Sequence, residues 1–201
     1  MTMEMIEKWK AALMKPKETF ASEKKNANLG ASTKNLAIGY LVAGVLFTIG
    51  TFITNPVAGV IALIISPITF LIFGLVVAFI SIGVLHVIAK LLGGNGQYTQ
   101  LFYLYSLYSV PIIILSGIPF IGIILAIVLG VYGVYLETLA IKEVYGLSTS
   151  KAILVWALPG IILLIIIALV AAALIATFLA AVGLGAMGAA NTGAGNGIQP
   201  I

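Results

Sequence analysis

Glu137 is the acid set deepest in an apolar run of this 201-residue chain. A carboxylate at that position needs a partner or a proton, because hydrocarbon cannot solvate the charge. Gly122, Ala126, Gly130, Gly133, Glu137 and Ala140 follow one another at intervals of four, four, three, four and three. That spacing puts them on one stripe of a helix, and small residues on a stripe let a second helix approach closely. Glu137 is therefore expected to face protein. His86, the one histidine, stands one turn before Lys90 and at a depth similar to that of Glu137. The shared depth predicts a His86–Glu137 contact, with Lys142 and Tyr105 completing a candidate polar cluster. Two chemistries suit such a cluster: an ion- or proton-linked site, or a structural carboxyl bonded to a tyrosine or to His86. The structural reading is favoured, since Glu137 lies roughly one turn inside Ile141, near the end of the run.

The rest of the inventory excludes more than it suggests. There is no cysteine, aspartate or arginine. One histidine without cysteine or aspartate cannot supply a zinc ligand set. An aspartyl intramembrane protease lacks its carboxylate pair, H-E-x-x-H is missing, and no serine sits in a G-x-S-x-G elbow. No enzyme activity and no cofactor are expected. Gly93-Gly94-Asn95-Gly96 lacks the Gly-Lys-Ser/Thr ending of a phosphate-binding loop, so it reads as a plain turn.

The elements that must hold these residues follow from composition. At 62% hydrophobic, 8% charged and a mean hydropathy of +1.21, the chain departs from a soluble domain, of which about a quarter is charged. The expected fold is all-α: an integral-membrane five-helix transmembrane bundle with a short N-terminal amphipathic helix. The spans are predicted at about 35–54, 67–89, 98–115, 120–141 and 151–182, each near or above the ~20 residues that cross hydrocarbon. Pro56 to Ser66 is apolar but half a span long, and reads either as a re-entrant piece or as an extension of the second span bent at Pro67. Three parts result: a basic arm and linker (1–34), the membrane domain (35–182) and a flexible glycine-rich tail (183–201).

In the arm, Met5, Ile6, Trp9 and Leu13 share one face of a helix stopped by Pro16. Either this helix lies on an anionic leaflet, with Trp9 at headgroup level and Lys8, Lys10 and Lys15 at the phosphates, or it packs on the protein's own loops. All ten basic residues are lysines. With five spans, every one falls in segments 1–34, 90–97 and 142–151, on one side of the membrane. The positive-inside rule then predicts a cytoplasmic N-terminus and an outer or lumenal C-terminus. Lysines that flank apolar runs indicate membrane phosphates rather than nucleic acid. The partners expected are the bilayer and, through small-residue faces, protein partners or further copies of the chain.

Two stretches together carry a resemblance. Gly93-Gly94, Tyr98, Phe102, Tyr105 or Tyr108, and Pro111 resemble the glycine-pair, aromatic and proline pattern of Yip-domain (Ypt/Rab-interacting) membrane proteins. Tyr132 and Tyr135, then Tyr145-Gly-Leu-Ser148-Thr-Ser-Lys151-Ala152 and Pro159, resemble that family's fourth span, short loop and start of the fifth. Lys15-Pro16-Lys17-Glu18-Thr19-Phe20 is similar to the entry segment of its prokaryotic members. The resemblance covers about residues 14 to 175 and implies a five-span, non-enzymatic membrane protein with a cytoplasmic N-terminus, serving trafficking or membrane organisation. It implies the cell membrane for a prokaryotic member and the endoplasmic reticulum or Golgi for a eukaryotic one. An arm of some 34 residues is short for a GTPase-binding segment and points to a prokaryotic member.

Overall fold

The structure, a computed structural model, describes residues 3–193, with side chains described through Phe178 and at 180. Seven α-helices follow in order: α1 (Met3–Met14), α2 (Pro16–Glu23), α3 (Leu29–Thr54), α4 (Pro56–Leu91), α5 (Tyr98–Ser116), α6 (Gly122–Tyr145) and α7 (Thr149–Gly193). No strand occurs among the described residues. Five helices, α3 to α7, are long and apolar enough to cross a membrane. The all-α five-span membrane bundle read from the sequence is thus the fold observed. Residues through Trp156 pack as one compact unit, and from Ala157 onward the chain forms a second.

In the first unit α5 is central and packs against α1, α3, α4 and α6. Leu101, Phe102, Leu104, Leu107 and Val110 of α5 are at most 1% exposed. Phe102 stacks between Phe79 and Tyr98, with ring centroids at 4.6 and 5.5 Å. Apolar burial adds little between helices surrounded by lipid, so close van der Waals fit must hold them together. The glycines provide it. A Cβ built on Gly44 would stand 2.6 Å from Pro67 Cα, and one on Gly39 would stand 3.0 Å from a Val110 methyl.

The boundaries follow local chemistry. Asn28 Oδ1 accepts from Ala31 N at 3.0 Å, which starts α3 at Leu29, inside the segment expected to be linker. Asn55 ends α3 and begins α4, where its side chain accepts from Ala58 N at 3.1 Å and Pro56 sits in the first turn. The half-length apolar piece is therefore the first part of one continuous helix that runs through Pro67. Ile61, Leu63, Ile64 and Ile65 are 57–69% exposed on it, so the re-entrant alternative is not what forms. At the far end, Gly94 N donates to Ala89 O at 2.9 Å and Gly93 N to Lys90 O at 3.0 Å, with Gly93 at φ +92°. This is a Schellman C-cap, and glycine there supplies the left-handed turn.

Ser148 precedes the first turn of α7, and its carbonyl accepts from Ala152 N at 2.9 Å. The helix continues to Gly193, past the expected start of the tail at 183, and residues 194–201 of that tail lie outside the described residues. From Ala157 the second unit is an apolar helix in its own right.

Candidate functional site

The chemistry-bearing side chains gather in the half of the bundle where α3 begins and α4 and α6 end. α6 places Glu137 opposite Tyr105 and Tyr108 of α5, whose rings meet edge to face at 5.6 Å. The Tyr105 hydroxyl also neighbours Tyr40 of α3 and Ser109. Ser109 is 5% exposed, and its Oγ has no hydrogen-bond partner among the described residues. Nor does any ion pair or side-chain hydrogen bond involve the Glu137 carboxyl among the described residues. The cluster is one acid among four hydroxyls, without a cation.

Two members of the expected cluster lie elsewhere. His86 is held by Tyr145, with Nδ1 to the hydroxyl at 2.6 Å, and its ring meets Tyr98 edge-on at 6.0 Å. Tyr145 stands eight residues beyond Glu137 on α6, about 12 Å along the axis. The predicted His86–Glu137 contact is therefore absent: His86 engages α6 through Tyr145, about two turns beyond Glu137. Lys142 is also separate: its Nζ donates to Thr149 Oγ1 at 2.7 Å and ties the end of α6 to the start of α7. Tyr105 is the predicted member that does join Glu137. Ser109 joins it from the same face of α5 as Tyr105, and Tyr40 of α3 is the addition that the spacing within one helix does not predict. The signal for Tyr40 was available, as a tyrosine inside an otherwise apolar first span.

The arm forms the cover of this cluster. α1 and α2 pack as a helical hairpin, α1 against α5 and α2 against α6. Trp9 is 4% exposed and Phe20 is fully buried, with Phe20 against the Tyr108 ring at 6.0 Å. Of the two placements open to α1, the structure has the packed one, with Trp9 enclosed by protein. The apolar stripe of α1 is taken up by α5, which offers a rigid surface, and Trp9 Nε1 is left without a partner. Polar ties fasten the edges. Glu23 accepts from the Tyr103 hydroxyl at 2.8 Å and pairs with Lys8 at 3.3 Å. Lys24 reaches Glu143 at 2.7 Å, and the Tyr132 hydroxyl donates to Leu13 O at 2.6 Å. Burial works to lower the Lys8 pKa, but Tyr103, Glu23 and Glu4 outweigh it and raise the pKa above its ordinary value. Lys8 is therefore engaged inside the arm, and Lys10 and Lys15 remain exposed.

The glycine loop completes the arrangement. Asn95 N donates to Tyr145 O at 3.2 Å, and a Cβ on Gly96 would stand only 2.4 Å from Val144 O. The loop thus lies flat on the end of α6, which requires glycine. Lys151 Nζ donates to Leu92 O at 2.9 Å and fastens the loop to α7. Among the described residues no group of three or more His, Cys, Asp or Glu side chains could hold a metal ion.

A family model described as Yip1 domain matches residues 10–171. No curated protein and no solved structure matches the chain.

Proposed function

The chain belongs to the Yip1-domain family, and from that premise we propose that it is a non-enzymatic membrane scaffold whose N-terminus and lysine-bearing loops face the cytoplasm. It organises the membrane by presenting a fixed surface built from the arm, the Gly93–Gly96 loop and the α6–α7 loop. The observation that carries this reading is the docked arm: Trp9 and Phe20 lock it to α5 while Lys10, Lys15 and Lys17 face outward. A docked arm offers partners and phosphates one defined shape. The lysine distribution supports the orientation.

The alternative, a transporter using Glu137, finds less support. The continuous α4 supplies no broken helix, and midway Thr48 is satisfied by Gly44 O at 2.9 Å and Ala62 O at 3.1 Å. Beyond the Glu137 cluster the interior is lined by Gly39, Ala43 and Val110. Proton and cation flux into proteoliposomes, measured for the wild type and for Glu137→Gln, tests the choice. The scaffold reading expects no flux above protein-free vesicles from either protein. Flux in the wild type that falls in the variant overturns it.

A further inference from the structure

α4 and α6 run in the same direction and end at the same height. Gly94, just past α4, packs its backbone against the Tyr145 side chain that closes α6, and His86 of α4 bonds the same tyrosine. Their outward faces nonetheless differ. On α4 exposed apolar side chains continue to the last residue: Ile80 at 62%, Val84 at 42%, Val87 at 57% and Leu91 at 80%. On α6 they stop at Val134 at 38%, and the half-exposed Tyr135 follows. The eleven steps from Val134 to Tyr145 span about 16 Å. Over that length α6 is covered by α2 of the hairpin and by the first turns of α7, whose Trp156 Nε1 donates to Thr138 Oγ1 at 3.0 Å, and the hairpin reaches up to Tyr132 through the Leu13 carbonyl. The outer side of the hairpin is polar, with Glu7, Lys10, Lys15, Lys17 and Glu18 all exposed. At its tip Lys15 and Lys17 have no ion pair among the described residues, and Met14 beside them is 71% exposed.

We propose that the bilayer boundary steps across this protein, so that on the α6 face the cytoplasmic headgroups sink about 16 Å deeper than beside α4 and meet the lysine-tipped hairpin. The occupant of the step is the phosphate layer of the lipids themselves, drawn against Lys15 and Lys17, with acyl chains above it. Span lengths carry the argument. From Val57 to Leu91 the outward apolar surface of α4 measures about 51 Å, and from Ile123 to Val134 that of α6 measures about 16 Å. A hydrocarbon core is about 30 Å thick. Tilting shortens both faces together, so it brings α4 toward that thickness while leaving α6 still shorter. Local thinning is the remaining accommodation on the α6 side. This goes beyond the scaffold reading, because a thinned patch acts on lipid whether or not a protein partner binds.

The chain has no cysteine, so single cysteines placed on outward positions report without background. A nitroxide is attached at Val84→Cys or Val87→Cys on α4, at Val131→Cys or Tyr135→Cys on α6, and at Lys15→Cys on the hairpin tip. The full chain is reconstituted in phosphatidylcholine vesicles containing phosphatidylglycerol, and collision with oxygen is compared with collision with a water-soluble nickel chelate. Two positions on each helix keep the comparison intact should one variant fold poorly. The expected result is oxygen in excess at 84, 87 and 131, and nickel in excess at 135 and 15. Oxygen in excess at every site means a flat boundary at the helix ends and overturns the proposal. Nickel in excess at 84 and 87 means a flat boundary higher up and overturns it equally. Exclusion of both agents at 87 or at 131 means that protein rather than lipid covers that face, which also overturns it.

Discussion

Replacing Gly44 with alanine tests whether α3 and α4 are held by backbone contact. The added Cβ would lie 2.6 Å from Pro67 Cα, 3.0 Å from Pro67 N and 3.1 Å from Ser66 O. All three are backbone atoms, so no side-chain rotation relieves the clash. Carbon atoms settle about 3.5–4.0 Å apart, so the helices must part by roughly 1 Å at this crossing. Overpacking of this kind costs about 1–3 kcal/mol. Alanine also favours helix over glycine by up to about 1 kcal/mol, which blurs a single measurement. Gly83 on α4 supplies the control, since a Cβ there meets nothing within 4 Å. The difference between Gly44→Ala and Gly83→Ala cancels propensity and leaves the steric term. For a unit of this size about 1–3 kcal/mol corresponds to a gap in Tm of roughly 2–12 °C, with Gly44→Ala the lower. Thermal unfolding of both variants in one detergent, followed by helical circular dichroism, gives the number. Equal Tm values would refute the claim that Gly44 sets the α3–α4 distance.

Four further outcomes follow. Phe20→Ala removes a fully buried ring from beneath α5, and core losses of this kind run to about 3–5 kcal/mol, so residues 3–26 should gain amide exchange and protease sensitivity while α4 does not. Lys24→Met breaks a half-exposed pair with Glu143 and should cost at most about 1 kcal/mol by the same exchange assay. Tyr145→Phe deletes the 2.6 Å bond to His86, which should lower stability by about 0.5–1.5 kcal/mol in a denaturation series. The Lys8 pKa is raised above 10.5, so its contribution to arm docking is complete below that value and is lost as pH rises through the higher folded value. Proteolysis of the arm should therefore accelerate in strongly alkaline buffer, with a smaller rise in Lys8→Met.

The spans were legible because length and apolarity decide crossing irrespective of neighbours, as in α3 to α6. The Schellman glycines were legible as a turn, but not as the surface on which α6 ends, because that role depends on the Val144 carbonyl far along the chain. The place of the arm was not legible. An apolar stripe of Met5, Trp9 and Leu13 fits a lipid surface and a protein groove equally, and only α5 distinguishes them. The same holds for Glu137 and His86. Depth along a helix can be counted from residue numbers, whereas direction around it depends on the packing of the next helix. Tyr105 met Glu137 because α5 and α6 are neighbours, and His86 met Tyr145 for the same reason on another side.

The Tyr132–Leu13 and Lys24–Glu143 contacts each join residues 119 positions apart. A ribosome adding about 5–20 residues per second needs roughly 6–24 s to cover that distance. Throughout that interval the arm exists without α6, and for most of it without α5. Trp9 and Phe20 then have water or lipid headgroups as their surroundings, so a membrane-surface placement of α1 belongs to the nascent chain rather than to the finished bundle. Closure of the arm comes after four spans are in place, so it marks the completion of the bundle.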